Sequence, residues 1–370
     1  MTRGGARAVG LDDPAELAGG DPGGMLGLVA SGGRQARTAL AAARGADLAG
    51  PVPSAMVVAG MGGSGIAGDV LAALALTSAR VPVLTVKSDR LPGFVGPGTL
   101  LVAVSYSGGT DETLSAAEQG LAAGARLVTV ASGGRLAELA EAHQVPRVPV
   151  PPGMPPRAAL WSLAIPVLAA AEAAGVLPGA TADVPALADA LDAEDDALGP
   201  AAAARRNPAK AAAGRLLGRL PVVWGTGVLG AVAATRLRAQ CNENAKVSAI
   251  GAALPEADHN EVMALEGGLG PDRELVVLRD EPGEHPRDPH RLEAVLEAIG
   301  LDPAGAWDAG APGAPVLRRA GTGPALVRLA RLVVFADYTS VYLALARGVD
   351  PAGIATIERV KAGVAARAAR

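Results

Sequence analysis

Four short apolar runs rich in β-formers, at 56–59, 83–86, 100–104 and 127–130, recur at intervals long enough to hold a helix between each pair. That rhythm predicts a parallel sheet: parallel neighbours need a crossover, and crossover helices bury both faces, so each strand reads as a continuous apolar run. A second α/β start follows at 220–224, with a strand expected near 275–278, a helix near 289–299 and a long helix near 324–347. Between the halves, 176–215 is rich in Ala, Asp and Pro and reads as helices bridging two domains. The Pro/Gly-rich stretch 302–314 reads as a surface loop. A length of 370 residues, half of them apolar, is enough for two domains with their own cores.

Composition narrows the functional classes. The net charge is −4 and the arginines are scattered rather than clustered, which argues against a nucleic-acid partner. Cys241 is the single cysteine, so no intramolecular disulfide can form and a reducing cytoplasm is the expected setting. It could be a nucleophile, but cysteine is commonly a small buried residue. Arg3 and Arg7 are followed by Asp12, Asp13 and Glu16 without an apolar signal-peptide core. The Ala-rich stretch 158–176, broken by Pro166 and Glu172, reads as a buried helix rather than a membrane span.

Three polar motifs interrupt the apolar pattern. Gly60–Gly65 follows the first strand and Gly225–Gly230 follows the first strand of the second half; both fit G-x-G-x-x-G, which lets backbone N–H groups approach an anion at a helix N-terminus. Alone this suggests a dinucleotide, with Asp89 near the place of a ribose-binding acid. The next strand, however, leads into Ser105-Tyr106-Ser107-Gly108-Gly109-Thr110, with hydroxyls at 105, 107 and 110. One hydroxyl suffices for an N-cap, whereas this cluster suits a phosphate monoester. No Walker-type G-K-[ST] is present. The third motif is Cys241-Asn242-Glu243-Asn244-Ala245-Lys246, followed by Pro255-Glu256 and His259-Asn260-Glu261. A carboxylate such as Glu243 can take a proton from carbon, and an imidazole such as His259 can pass protons between oxygens near neutral pH. The plain alternative is a polar helix end.

Taken in order, Gly60–Ser64, Ser105–Thr110, Pro155-Pro156-Arg157, Asn242–Lys246 and Pro255–Glu261 resemble the bifunctional phosphoglucose/phosphomannose isomerases, sugar isomerase (SIS) domain proteins, over roughly 35–365. The resemblance implies an α/β fold of two SIS domains, each a parallel sheet flanked by helices in a flavodoxin-like three-layer sandwich. The chain then divides into an N-terminal extension (1–34), a first domain (35–178), linking helices (179–215) and a second domain with a C-terminal helix (216–370). It further implies a hexose 6-phosphate substrate, no cofactor, no metal, and a homodimer with shared active sites.

Residue by residue, the resemblance assigns Ser105, Ser107 and Thr110 to phosphate, and Gly62, Gly63 and Ser64 to the loop lining the sugar. It makes Arg157 the cation that stabilises an enediolate and Glu243 the base shuttling a proton between C1 and C2. His259 is the ring-opening residue, reaching the site from the partner chain, and Lys361 assists it. Two positions depart from the family pattern: Gly109 stands where Asn is usual, and Ile354 where a threonine associated with acceptance of both C2 epimers is expected.

The chemistry agrees with these roles, since an enediolate needs a base and a balancing cation. No HExxH or comparable metal cluster occurs among the four histidines, so proton transfer is expected over a metal-assisted hydride shift. Two other readings compete: a non-catalytic SIS protein that binds a sugar phosphate as a regulator, and a nicotinamide-dependent dehydrogenase.

Overall fold

Strands built from Val, Leu and Ala with no polar face can be satisfied only between two layers of helix, and this chain forms two such sheets. The computed structural model describes residues 10–303, 305 and 314–368. In the first half, β1 (Ala55–Ala59), β2 (Val83–Val86), β3 (Thr99–Val104), β4 (Arg126–Ala131) and β5 (Arg147–Pro149) pair in the order β2-β1-β3-β4-β5. In the second, β6 (Leu220–Thr226), β7 (Ile250–Ala253), β8 (Arg273–Arg279) and β9 (Val316–Arg319) pair in the order β7-β6-β8-β9. Every pairing is parallel. The four strands expected in the first half and the two in the second are present. The short strands β5, β7 and β9 are additional. Arg3 and Arg7, and most of the loop expected at 302–314, lie outside the described residues.

The bridging stretch is helical, with Val184–Leu198 and Pro208–Leu216 as its two longer elements. Asn207 starts the second of these: its side chain accepts from the Ala209 and Lys210 N–H groups, both at 3.0 Å, and donates to Leu198 O at 2.8 Å. Both helices pack on the long helix Ala325–Ala346. That helix is long and apolar enough to cross a membrane, yet 94 % of its most apolar window is packed inside the protein. The stretch around 158–176 forms the buried helix Leu160–Ala173. One apolar cluster runs from Met56 and Val58 through Leu163 and Leu237 to Phe335 and Tyr342, so the two sheets share a core.

The 2-1-3-4-5 strand order makes the chain wind outward in opposite directions from β1 and β3. Loops leaving the carboxyl ends of these two strands therefore diverge and leave a crevice, the usual ligand position in an open parallel sheet. The glycine motif and the hydroxyl-rich motif are those two loops.

Candidate active site

Helix Gly62–Ala75 begins almost directly after β1. Gly62 takes a positive φ of 51°, and a Cβ on Gly63 would lie 2.9 Å from Pro156 O and 3.0 Å from Arg157 Cα. Only glycine lets this turn lie against the Arg157 segment. Buried Ser64 accepts from the Tyr106 N–H at 3.2 Å, which joins the loop after β1 to the loop after β3. In the second loop Ser105 Oγ donates to Thr110 Oγ1 at 2.9 Å, and Ser107 Oγ accepts from the Gly109 N–H at 3.3 Å. Thr110 immediately precedes helix Asp111–Ala122 but makes no side-chain cap bond to it. Capping therefore does not account for the hydroxyl cluster, and the first-turn N–H groups remain available to an anion.

Across the crevice, helix Gly227–Gln240 passes into a π-helical turn, Cys241–Ala245. Such wide turns often accompany functional positions. Asn244 is fully buried and Glu243 partly exposed. Lys246, at a φ of +54°, ends the turn, and its Nζ donates to Glu243 O at 2.6 Å, Asn244 O at 3.2 Å and Asp350 O at 3.1 Å. The ammonium thus satisfies carbonyls that the helix end leaves unpaired.

Arg157 is held from three sides. Its Nε donates to Asn244 Oδ1 at 2.7 Å, and Nη2 donates to Pro351 O at 2.6 Å and Ala352 O at 2.9 Å. Nη1 instead faces Glu243 Oε2 at 3.8 Å, too far for a hydrogen bond. Burial lowers the Arg157 pKa from its ordinary value, with Glu243 and Asp350 opposing the shift. A cavity of about 140 Å³ lies between the two helices, and Gly62, Gly63, Arg157 and Glu243 all line it. A carboxylate and a guanidinium with an unoccupied donor edge thus face one small space, which can support proton abstraction beside a stabilised oxyanion.

Several supporting residues escaped the sequence reading. Arg236 forms a two-pronged pair with Asp337, at 2.7 and 2.8 Å, and also donates to Arg157 O at 2.9 Å. Gln240 donates to Asp337 at 2.9 Å, and Asn244 donates to Ser340 at 2.9 Å. This buried network fixes both Arg157 and Asn244. Its sequence signal was Asp337, the one acid in a 22-residue helix whose other charges, Arg328 and Arg331, lie in its first two turns.

The structure does not gather every expected residue. His259 is 73 % exposed and does not line the cavity; its Nε2 lies 3.8 Å from Asp258 of its own segment. Lys361 is exposed on helix Ala355–Ala368 and is likewise absent from the cavity wall. Cys241 is fully buried, and burial pushes its thiol up to about 12, so it is no nucleophile at neutral pH. The Asp89 carboxylate accepts from the adjacent Ser88 Oγ at 3.3 Å, and its backbone carbonyl accepts from Ser115 Oγ and Gln119 Nε2.

The second glycine loop is filled by the protein itself. Gly227 repeats the positive φ of Gly62, but Thr226 Oγ1 donates to the Glu284 carboxylate, which also accepts from Arg279 Nε and Nη2 at 2.9 and 2.7 Å. Burial raises the Glu284 pKa, but the bonds from Arg279 and Thr226 outweigh it and hold it below the ordinary value. Its contribution to stability is therefore complete above the usual glutamate pKa of about 4.3 and is lost as pH falls through the lower folded value. Glu284→Gln should cost about 2 kcal/mol near neutral pH. Denaturant unfolding of both proteins should show that difference shrinking as the solution is acidified; a pH-independent difference would contradict it.

Residues 205–364 match the family described as bacterial phospho-glucose isomerase C-terminal SIS domain. The chain is 30 % identical to a bifunctional phosphoglucose/phosphomannose isomerase of Caldicellulosiruptor bescii, over 83 % of this chain and 88 % of that protein. It is 32 % identical to the protein of the same description from Thermoplasma acidophilum, over 83 % and 89 %. Among solved structures, the C-terminal domain of glucosamine-fructose-6-phosphate aminotransferase from Francisella tularensis superposes with a TM-score of 0.66 at 14 % identity, over 89 % of this chain and 98 % of that one, a likeness of fold.

Proposed function

Because the chain belongs to the bifunctional phosphoglucose/phosphomannose isomerase family, we propose that it interconverts glucose 6-phosphate or mannose 6-phosphate with fructose 6-phosphate in the cytoplasm. The observation that carries this reading is the placement of Glu243 and the free Nη1 edge of Arg157 on one cavity beside Gly62 and Gly63. A protein that merely bound a sugar phosphate would need the hydroxyl loop alone.

Glu243 removes the C2 proton of the open-chain aldose, and the bonding electrons form a cis-enediolate. Arg157 stabilises the oxyanion, protons redistribute between O1 and O2, and Glu243 returns its proton to C1. No metal takes part in this sequence. Ser105, Ser107 and Thr110, with the helix N-terminus behind them, hold the phosphate, and Ser64 braces the loop.

His259 and Lys361 open the sugar ring, with His259 supplied by a second copy of the chain. This assembly is supported by apolar surface on the elements that carry them. Met263 is 66 % exposed near His259, while Ile357, Val360 and Val364 form an exposed stripe on the Lys361 helix. Two-fold pairing would cover such surface and bring each histidine to its neighbour's cavity.

The test is a coupled assay for fructose 6-phosphate from each aldose 6-phosphate, with and without chelator. Both epimers should react and chelator should have no effect. Ile354 follows closely on the Pro351–Ala352 carbonyls gripped by Arg157 and offers no hydroxyl, so the two specificity constants should be unequal. Absence of product from both aldoses overturns the assignment; equal constants overturn the role of Ile354.

A further inference from the structure

Lys87 is the first residue past the carboxyl end of β2, the sheet neighbour of β1, so the topology delivers it to the same edge as the glycine loop. Its side chain crosses the first turn of helix Gly62–Ala75. A Cβ on Gly65 would lie 3.0 Å from Lys87 Cε and 3.2 Å from Cγ, so the stem takes this path because position 65 is glycine. The ammonium is then pinned by Asp69, one turn further along that helix, and Lys87 lines the cavity that Arg157 and Glu243 share.

The charges around that cavity are unequal in what they can still do. Glu243 is its one carboxylate, against Lys87, Arg157, Arg236 and Arg238. Arg236 commits Nε and Nη2 to Asp337 and Arg157 O, and Arg157 commits Nε and Nη2 to Asn244, Pro351 and Ala352, so each is fixed in the interior with only its Nη1 edge left over. Lys87 differs from these and from Arg238, whose side chain no acid pins among the described residues: Asp69 holds the Lys87 ammonium in place through one of its three protons, and no second acceptor among the described residues takes the other two. The side chain is 39 % exposed and Asp69 22 %, so the pair is reachable from the cavity mouth without unfolding anything.

We propose that Lys87 is a substrate-contacting residue that donates to an oxygen on the sugar end of the hexose phosphate, and that Asp69 is its positioning residue. The inference rests on the isomerase reading for the nature of the ligand. It assigns Lys87 to the sugar rather than the phosphate, because the lysine shares its cavity with Glu243 and Arg157 and not with Ser105–Thr110.

The experiment is calorimetric binding of glucose 6-phosphate and of inorganic phosphate to wild type, Lys87→Met, Lys87→Arg and Asp69→Ala, with melting temperature as the folding control. A lost charge-assisted bond should weaken glucose 6-phosphate binding about tenfold or more in Lys87→Met. Inorganic phosphate binding should stay within twofold. Lys87→Arg should recover part of the loss, and Asp69→Ala should lose less than Lys87→Met, again for the sugar phosphate alone. Unchanged glucose 6-phosphate binding in Lys87→Met, or an equal loss for both ligands, overturns the inference. Binding is read without turnover. A wild-type protein that binds glucose 6-phosphate but forms no ketose defeats the isomerase reading while the Lys87 result stands, and one that does not bind it defeats both.

Discussion

Replacing Glu243 with Gln should lower kcat for isomerisation on the order of 10²-fold or more while leaving the fold and sugar-phosphate affinity nearly intact. The amide keeps the shape of the carboxylate but cannot take a proton from carbon, and loss of a positioned acid–base group has about that cost. Stability should hardly change. The Glu243 side chain is 29 % exposed, its nearest cation is 3.8 Å away, and pairs of that kind contribute at most about 1 kcal/mol. Steady-state kinetics with a melting curve separates the two effects; activity within tenfold of wild type would remove Glu243 from the role of base.

Arg157→Met should do the opposite on the stability axis and at least as much on activity. The guanidinium is 3 % exposed and supplies donors to Asn244 Oδ1, Pro351 O and Ala352 O. Without it, three acceptors lose their partner in the interior, a change that costs about 3 kcal/mol or more. The segment at 350–354 and the π-helical turn would lose their common anchor, and the enediolate its cation, so kcat should fall by about 10²–10³. Arg157→Lys should not rescue it, because an ammonium cannot span the three directions that the planar fork reaches. Wild-type stability in Arg157→Met, measured by denaturant unfolding, would contradict the structural role. Near-normal turnover would contradict the catalytic one.

The strands legible in the sequence are those carrying an unbroken run of β-formers, whether buried throughout like β1 and β3 or partly exposed like β2. β1 and β3 are buried along their whole length and read as unbroken apolar runs. β7 is short, contains glycine and begins with the exposed Ile250; β5 is three residues ending in proline. Neither carries a periodic signal. The same division holds in the site. Gly62, Gly63, Arg157 and Glu243 announced themselves through motifs, and the fold brings them to one cavity. Arg236, Asp337 and Ser340, which support them, act through bonds spanning about a hundred positions in sequence, which no local pattern encodes; Asn244 lay within a motif, but its bond to Ser340 was equally illegible. Lys87 was invisible for a different reason: its significance depends on the missing Cβ of Gly65 and on Asp69, and neither is a motif. His259 is exposed and does not line the cavity, so its sequence context suggested a chemistry without showing its neighbours.

The central claim is that Glu243 carries a proton between carbons through an enediolate. Its most direct test is to run fructose 6-phosphate through the enzyme in D₂O and read the C2 position of the aldose formed. Proton transfer by a carboxylate that is 29 % exposed predicts deuterium at C2 in part of the product, and loss of this incorporation together with turnover in Glu243→Gln. Product that forms at the wild-type rate with no deuterium at C2 would mean that hydrogen moves directly between the carbons, and would contradict the account.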